Sequence, residues 1–370
     1  MGTTNFFYKI YSKFLDISHR TYFSQNKQNK INRGRYSVRK FLKNFVHSHE
    51  NLVITLVNNL IWFIVVIFAL FFYSLYPTIF LSSRNIIFIF YHSSGLGLLV
   101  LAESLCLLSG NFDLSISAIA GFSATVAAAV LGLWFPGTPW FVGLLIITFL
   151  GLVLGGINGF SIGYLKINPF LQTLAAMICL TGASIAVYPS SIYRLPSQYL
   201  YLGGGSIWGF PVSIVVFLFL FGVIYFLVNH TPFGTHILFT GDNLDAASVS
   251  GVNTRRVIFI VFLISGLLSS WAGLLLTGFV GASVPRMAEG MVFEAFAAAI
   301  IGGVSLRGGK GSIFGVLGGV ILLGILTSGL NLSNVQAAYV KVFNGFLVIV
   351  AIFIDSLRGR IVRKLQIETT

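Results

Sequence analysis

The sequence predicts an all-α fold, a polytopic membrane helix bundle of about ten transmembrane helices. Three observations carry this expectation. Of the 370 residues, 56% are hydrophobic and only 9% charged, where a soluble domain carries about 25% charged residues. From Leu52 to Asp355 the chain runs as apolar stretches broken by short glycine- and proline-rich connections, and several reach the ~20 residues that a spanning helix needs. Lys and Arg, finally, gather outside those stretches.

Taken in order, the apolar segments are 52–75, 85–109, 114–134, 141–163, 169–189, 207–229, 257–281, 290–303, 313–330 and 338–355. The eighth is short enough to be a half-helix. Tyr73, Tyr76, Trp134, Trp140, Tyr188 and Trp208 stand at segment ends, where amphipathic rings anchor at the membrane interface. Small residues recur at helical spacing, as Gly151, Gly155, Gly159 and Gly163 and again as Gly311, Gly315 and Gly319. Such stripes let backbones approach closely in lipid. They predict a compact bundle and no chemistry.

Charge sets the orientation. Ten Lys/Arg lie between Lys9 and Lys43, and Arg358, Arg360, Arg363 and Lys364 follow the last segment. With both termini cytoplasmic, the inner loops hold Lys166, Arg255, Arg256, Arg307 and Lys310, and the outer loops only Arg84, Arg194 and Arg286. Shifting the topology by one span destroys this positive-inside bias. The net charge of +13 is thereby placed against an anionic leaflet and does not call for nucleic acid. Three regions follow: a basic, disordered cytoplasmic extension at 1–50, a transmembrane domain at 51–357, and a basic cytoplasmic tail at 358–370. The extension shares the bias of an organelle transit peptide, which is the competing reading.

The cysteines Cys106 and Cys179 sit inside apolar runs and read as small buried hydrophobes. The histidines lack metal-ligand spacing, and no nucleophile–base constellation is evident. No catalytic residue, metal site or cofactor is expected on this chain, and it is not expected to be an enzyme.

Function is sought where the apolar runs are interrupted, because lipid tolerates polar groups and broken backbone only where they are buried or line a cavity. The longest interruption, His230 to Arg256, contains Gly241, Asp242, Asn243, Leu244, Asp245, Ala246, Ala247, Ser248, Val249, Ser250 and Gly251. Asp242 or Asn243 can cap a short helix that Gly251 stops. A short exposed helix suits docking on another protein; a loop with no partner is the alternative. The second interruption is Gly110-Asn111-Phe112-Asp113-Leu114-Ser115, preceded by an acid inside a span, Glu103. An intramembrane carboxyl is a functional candidate by default. It can face a pathway, pair with Arg84 or Lys341, or be a packing group bonded to Ser104. The third, Gly302-Gly303-Val304-Ser305-Leu306-Arg307-Gly308-Gly309-Lys310-Gly311, fails the phosphate-loop pattern, because Val304 and Gly311 stand where Gly and Ser/Thr are needed. A tight glycine-rich turn fits better.

At these three places the chain resembles the permease subunit of a bacterial ABC importer, of the monosaccharide branch that serves ribose, galactose, xylose and autoinducer-2. Gly110, Asp113, Leu114 and Ser115 resemble one family element; Gly241 to Gly251 resembles the ATPase-coupling loop; Gly302 and Gly303 with Gly308, Gly309, Lys310 and Gly311 resemble the second glycine motif. The segment from Asn168-Pro169 to Leu174, and Gly329 to Leu332, are weaker matches. The resemblance covers roughly residues 80–357 and implies a bundle like that of vitamin B12-type importers. It implies ATP-driven import of a sugar-like solute across the bacterial cytoplasmic membrane by alternating access. The implied partners are a second permease subunit, identical or homologous, an ABC ATPase holding ATP and Mg²⁺, and an extracytoplasmic substrate-binding protein. Asn111-Phe112, Ser117, Gln172 and Arg307 depart from the usual pattern, so sugar specificity is not inherited with the fold. Glu103, Ser104, Asn158, Gln172 and Thr173 are the expected path-lining residues. The rival from another class is an ion-coupled secondary transporter or channel using Glu103 and Asp113.

Overall fold

The computed structural model describes residues 60–336, 338–340 and 342–353. The basic extension, the C-terminal tail and the side chain of Lys341 fall outside these residues, as do positions 52–59 of the first predicted span. The described chain is almost entirely helical. In order it contains α1 (Leu60–Leu75), α2 (Ser83–Leu108), α3 (Ile116–Ala129, continued by a π-turn Val130–Trp134), α4 (Trp140–Gly163) and α5 (Pro169–Val187). Then come α6 (Ser197–Gly204), a two-stranded hairpin (β1 Ser206–Ile207, β2 Phe210–Pro211), α7 (Val212–His230), α8 (Pro232–Asp242) and α9 (Leu244–Val249). The remainder is α10 (Thr254–Val280), α11 (Met291–Ile301), α12 (Ile313–Leu332) and α13 (Ala338–Phe353). Seven of these, α2, α3 with its π-turn, α4, α5, α7, α10 and α12, are long and apolar enough to cross a membrane, and α1, α11 and α13 are shorter apolar helices. Each of the ten predicted segments corresponds to one of these helices.

Local sequence explains the boundaries. Asn168 accepts from the backbone N–H groups of Phe170 and Leu171, and Pro169 sits at the first turn of α5, where its missing N–H costs nothing. Ser82 caps α2 and Ser312 caps α12 in the same way. α7 begins at Val212, five residues later than the apolar pattern suggests. Trp208 and Gly209, at φ +50° and +80°, turn the β1–β2 hairpin first, with Ser206 paired to Pro211 and Ile207 to Phe210.

Two helices form the centre. α10 packs on α2, α3, α4 and α6, while α2 also packs on α7, α11 and α12. α2, α3, α10 and α12 are mostly buried, whereas α4 and α5 turn most of their surface outward. The glycine stripe of α4 lies against α10. A methyl on Gly155 would collide with the Phe262 carbonyl, and one on Gly266 with the carbonyl of Gly151. Glycine is required there because the two backbones touch.

The loops divide between two ends. At one end Ile192 and Ser283 exchange backbone hydrogen bonds of 2.9 and 3.0 Å, joining two loops that charge assigns to the same face. At the other end the turns after α2, α8 and α11 meet.

Candidate functional site

The three interruptions converge. α2 ends at Leu108, and Gly110 leaves it at φ +78°. The Leu108 carbonyl, orphaned by the helix end, accepts from the backbone N–H of Gly309 at 3.0 Å. Gly308 and Gly309 both hold positive φ, +80° and +70°, which only glycine adopts without strain. Gly241, in the last turn of α8, closes the contact. A methyl group on it would drive into the Leu108 carbonyl and lie 2.6 Å from the Gly309 nitrogen. Three segments separated by 133 and 68 residues in sequence thus meet backbone to backbone. Gly302 serves a neighbouring crossing, packed against Gly315 and Val316 of α12. Lys310 accepts from Ser305 through its backbone carbonyl at 2.9 Å, and its side chain is exposed.

α8 and α9 hang directly on this joint. Thr231 caps α8. Asn243 breaks the pair and caps α9, accepting from the Ala246 N–H at 2.9 Å. Ser250 bonds back to the Ala246 carbonyl at 2.9 Å, and Gly251 leaves at φ +88°. Only Ala247 of α9 is buried. Leu244 is 49% and Val249 90% exposed, so a two-turn helix offers apolar side chains outward, with Asp242 and Asp245 exposed beside them. The helix α8 was not foreseen, and the short helix expected between Asn243 and Gly251 is α9.

Behind the joint runs a buried polar thread. Asp113 Oδ1 accepts from the Ser115 N–H at 3.0 Å and from its hydroxyl. Oδ2 accepts from Ser265 of α10 at 2.9 Å. Asn158 of α4 donates to the Ser115 Oγ at 2.9 Å, and Gln172 of α5 donates to the Asn158 Oδ1 at 3.1 Å. Four elements are therefore tied in one chain of hydrogen bonds that runs from this carboxylate through Ser115 and Asn158. Glu103 lies beside it, fully buried; its Oε2 has no hydrogen-bond partner among the described residues. Arg84 makes no ion pair with it. Ser104 and Thr173 do not join the thread, since each bonds back to its own helix, to Val100 and Pro169. Leu114 packs against the core beside it.

Of the five residues expected to line a path, Asn158 and Gln172 share the thread and Glu103 adjoins it, while Ser104 and Thr173 stand apart. Sequence reasoning missed Ser265, although a serine in an apolar helix was a usable signal. It also misjudged Cys179, which is exposed on α5 while Cys106 is buried; position 179 falls on the outward face of that helix. Among the described residues no group of His, Cys, Asp and Glu could hold a metal ion.

Residues 85–352 match a family model described as the permease component of branched-chain amino acid transport systems. The chain is 33% identical to the D-allose transport system permease protein of Escherichia coli, covering 80% of this chain and 90% of that one. It is 32% identical to the galactose/methyl galactoside import permease protein of Salmonella typhimurium, over 76% and 89%. It is 29% identical to the ribose import permease protein of Haemophilus influenzae, over 76% and 87%. No solved structure matches.

Proposed function

We propose, from the premise that this chain belongs to the family of transport-system permease components, that it is the membrane subunit of an ATP-binding-cassette importer for a sugar or sugar-like solute. The observation that carries this reading is the glycine joint. α8 and α9 form a small, apolar-tipped projection, and Gly241 packs it by backbone contact against the end of α2 and the glycine turn after α11. A push on that projection has no flexible side chain to absorb it. It reaches Asp113 through the short turn Gly110–Phe112, and Asp113 holds α10 through Ser265 and, by way of Ser115, α4. That is the geometry a partner ATPase needs to drive alternating access. The solute class is supported by relatives that transport allose, galactose and ribose.

In this reading ATP and Mg²⁺ bind on the partner ATPase, which docks on α9 from the cytoplasm. A second permease subunit completes the pathway, and an extracytoplasmic binding protein delivers the solute. The membrane is the bacterial cytoplasmic membrane, with both termini inside, as the charge bias supports. The basic extension at 1–50 would lie along the anionic inner leaflet.

The test replaces Asp242–Gly251 by a flexible Gly/Ser linker in the complete transporter. Membrane insertion is expected to persist and ATP-dependent uptake of labelled allose, ribose or galactose to vanish. Undiminished uptake would sink the coupling assignment. Uptake that follows an ion gradient and needs no ATPase would favour the secondary-transporter reading.

A further inference from the structure

A cavity of about 640 Å³ opens between α3, α5 and the N-terminal turn of α11, and none of the residues expected to line a path borders it. Its volume is in the range of small-molecule sites, ~300–1,000 Å³. Its lining is mainly apolar, with Phe122 and Phe293 among the side chains and the hydroxyls of Ser117 and Thr181 as polar points.

Those two hydroxyls are open to the cavity. Many helical Ser and Thr bond back to a carbonyl one turn earlier, as Ser104, Thr125, Thr173 and Thr277 do, and others, such as Ser93, Ser123, Ser213 and Thr240, are sealed in the core away from it. Ser184, which also borders the cavity, is bonded to Thr125 at 3.0 Å. Ser117 on α3 and Thr181 on α5 have no protein partner among the described residues, so each keeps a donor and acceptor for something else. The only charges on the lining are Arg286 and Glu289. They pair with each other at 3.8 Å, half in solvent, so the lining presents opposite charges side by side and no single sign to a solute.

We propose that this cavity is a recognition site within the subunit for a neutral, polyhydroxylated ring solute. Ser117 and Thr181 exchange hydrogen bonds with its hydroxyls, and Phe122 and Phe293 cover its C–H face. The inference rests on the importer reading for its place in transport, but the site can be tested without uptake. Two weak hydroxyl contacts and aromatic cover bind loosely, as a path that must release its cargo requires. The binding protein would then not be the sole source of selectivity.

The experiment uses the full chain in native membrane vesicles with Cys179→Ala and Ile185→Cys, a lining position with no part in the proposed contacts. A small hydrophilic methanethiosulfonate reagent is applied with and without millimolar aldopentose, aldohexose or L-leucine. We expect labelling at position 185, slowed several-fold by a pentose or hexose and unaffected by leucine. Adding Ser117→Ala should weaken that protection several-fold. Absent protection by either sugar, protection by leucine, or protection indifferent to Ser117→Ala overturns the proposal. So does a disulfide-linked dimer through position 185, which would put a second copy in the cavity. Failure of ATP-driven uptake with intact sugar protection would instead count against the importer reading alone.

Discussion

Ser265 donates its hydroxyl to Asp113 Oδ2 across 2.9 Å, although 152 positions separate the two. The same carboxylate holds Ser115 through Oδ1. Both residues are fully buried, so a lost partner is not replaced by water. Asp113→Asn keeps the shape but offers one acceptor oxygen to three donors. It should destabilise the purified protein by about 1–3 kcal/mol, read as a lower thermal midpoint. Ser265→Ala removes a single donor and should cost less. An Asp113→Asn variant as stable as wild type would show that the thread does not bind the elements.

Gly241→Ala should be far more damaging than a methyl group ordinarily is. Its Cβ would meet the Leu108 carbonyl and the Gly309 nitrogen, both backbone atoms. Overpacking typically costs about 1–3 kcal/mol, and here relief requires moving α8 off α2. ATP-dependent uptake should fall sharply while the chain still inserts. Gly156→Ala, with nothing within 4 Å of its Cβ, is the matched control and should be silent.

The outward tip of α9 should decide partner binding. Val249 is 90% exposed and contributes almost nothing to the fold, so Val249→Asp should leave thermal stability within about 0.5 kcal/mol of wild type. Co-purification of an ATPase subunit in mild detergent should nonetheless drop. Asn243→Ala removes the cap of α9, worth about 1 kcal/mol, and should weaken the same association through helix fraying. Unchanged co-purification in both variants would place the ATPase elsewhere.

Gly155→Leu should separate α4 from α10. The added side chain has no space beside Phe262 and Gly266, and close backbone approach is what joins helices in lipid. Limited proteolysis should cut the loops of the inserted variant much faster than those of wild type.

Glu103→Gln separates importer from ion-coupled transporter. Glu103 is fully buried and outside the cavity between α3 and α5, so the importer reading expects ATP-dependent uptake near the wild-type rate. Loss of uptake together with loss of an ion-gradient dependence would transfer the mechanism to the carboxyl.

The apolar segments were legible because length and hydropathy alone define a helix in lipid. Pro169–Val187 was even bounded correctly at its start, since Asn168-Pro169 is a local start signal that lipid does not alter. The elements that escaped are those held by backbone contact. α6 packs Gly203 and Gly204 against Gly278, leaving no apolar periodicity to follow. α8 mixes Gly, Thr and His with its apolar residues and falls below spanning length. At the site, the glycine motifs were visible as departures from hydrocarbon, but their meeting was not, because two positive-φ turns and a helical glycine carry no mark of which carbonyl they face. Ser117 stood out only as a departure from the family pattern and Thr181 not at all, for a different reason. A hydroxyl in an apolar helix looks the same whether it bonds back to its own turn or waits for a ligand.

The joint of Gly241, Leu108 and Gly309 has a consequence for how such a molecule can change. It is built from peptide groups, so it encodes no preference for any cargo. Phe122, Thr181 and Phe293 lie on other segments and can be exchanged without touching it. Drive train and cargo hold are therefore separable, and one could be regrafted with the other left intact. The constraint runs one way: the hold can be rewritten residue by residue, whereas the drive train tolerates almost no added atom.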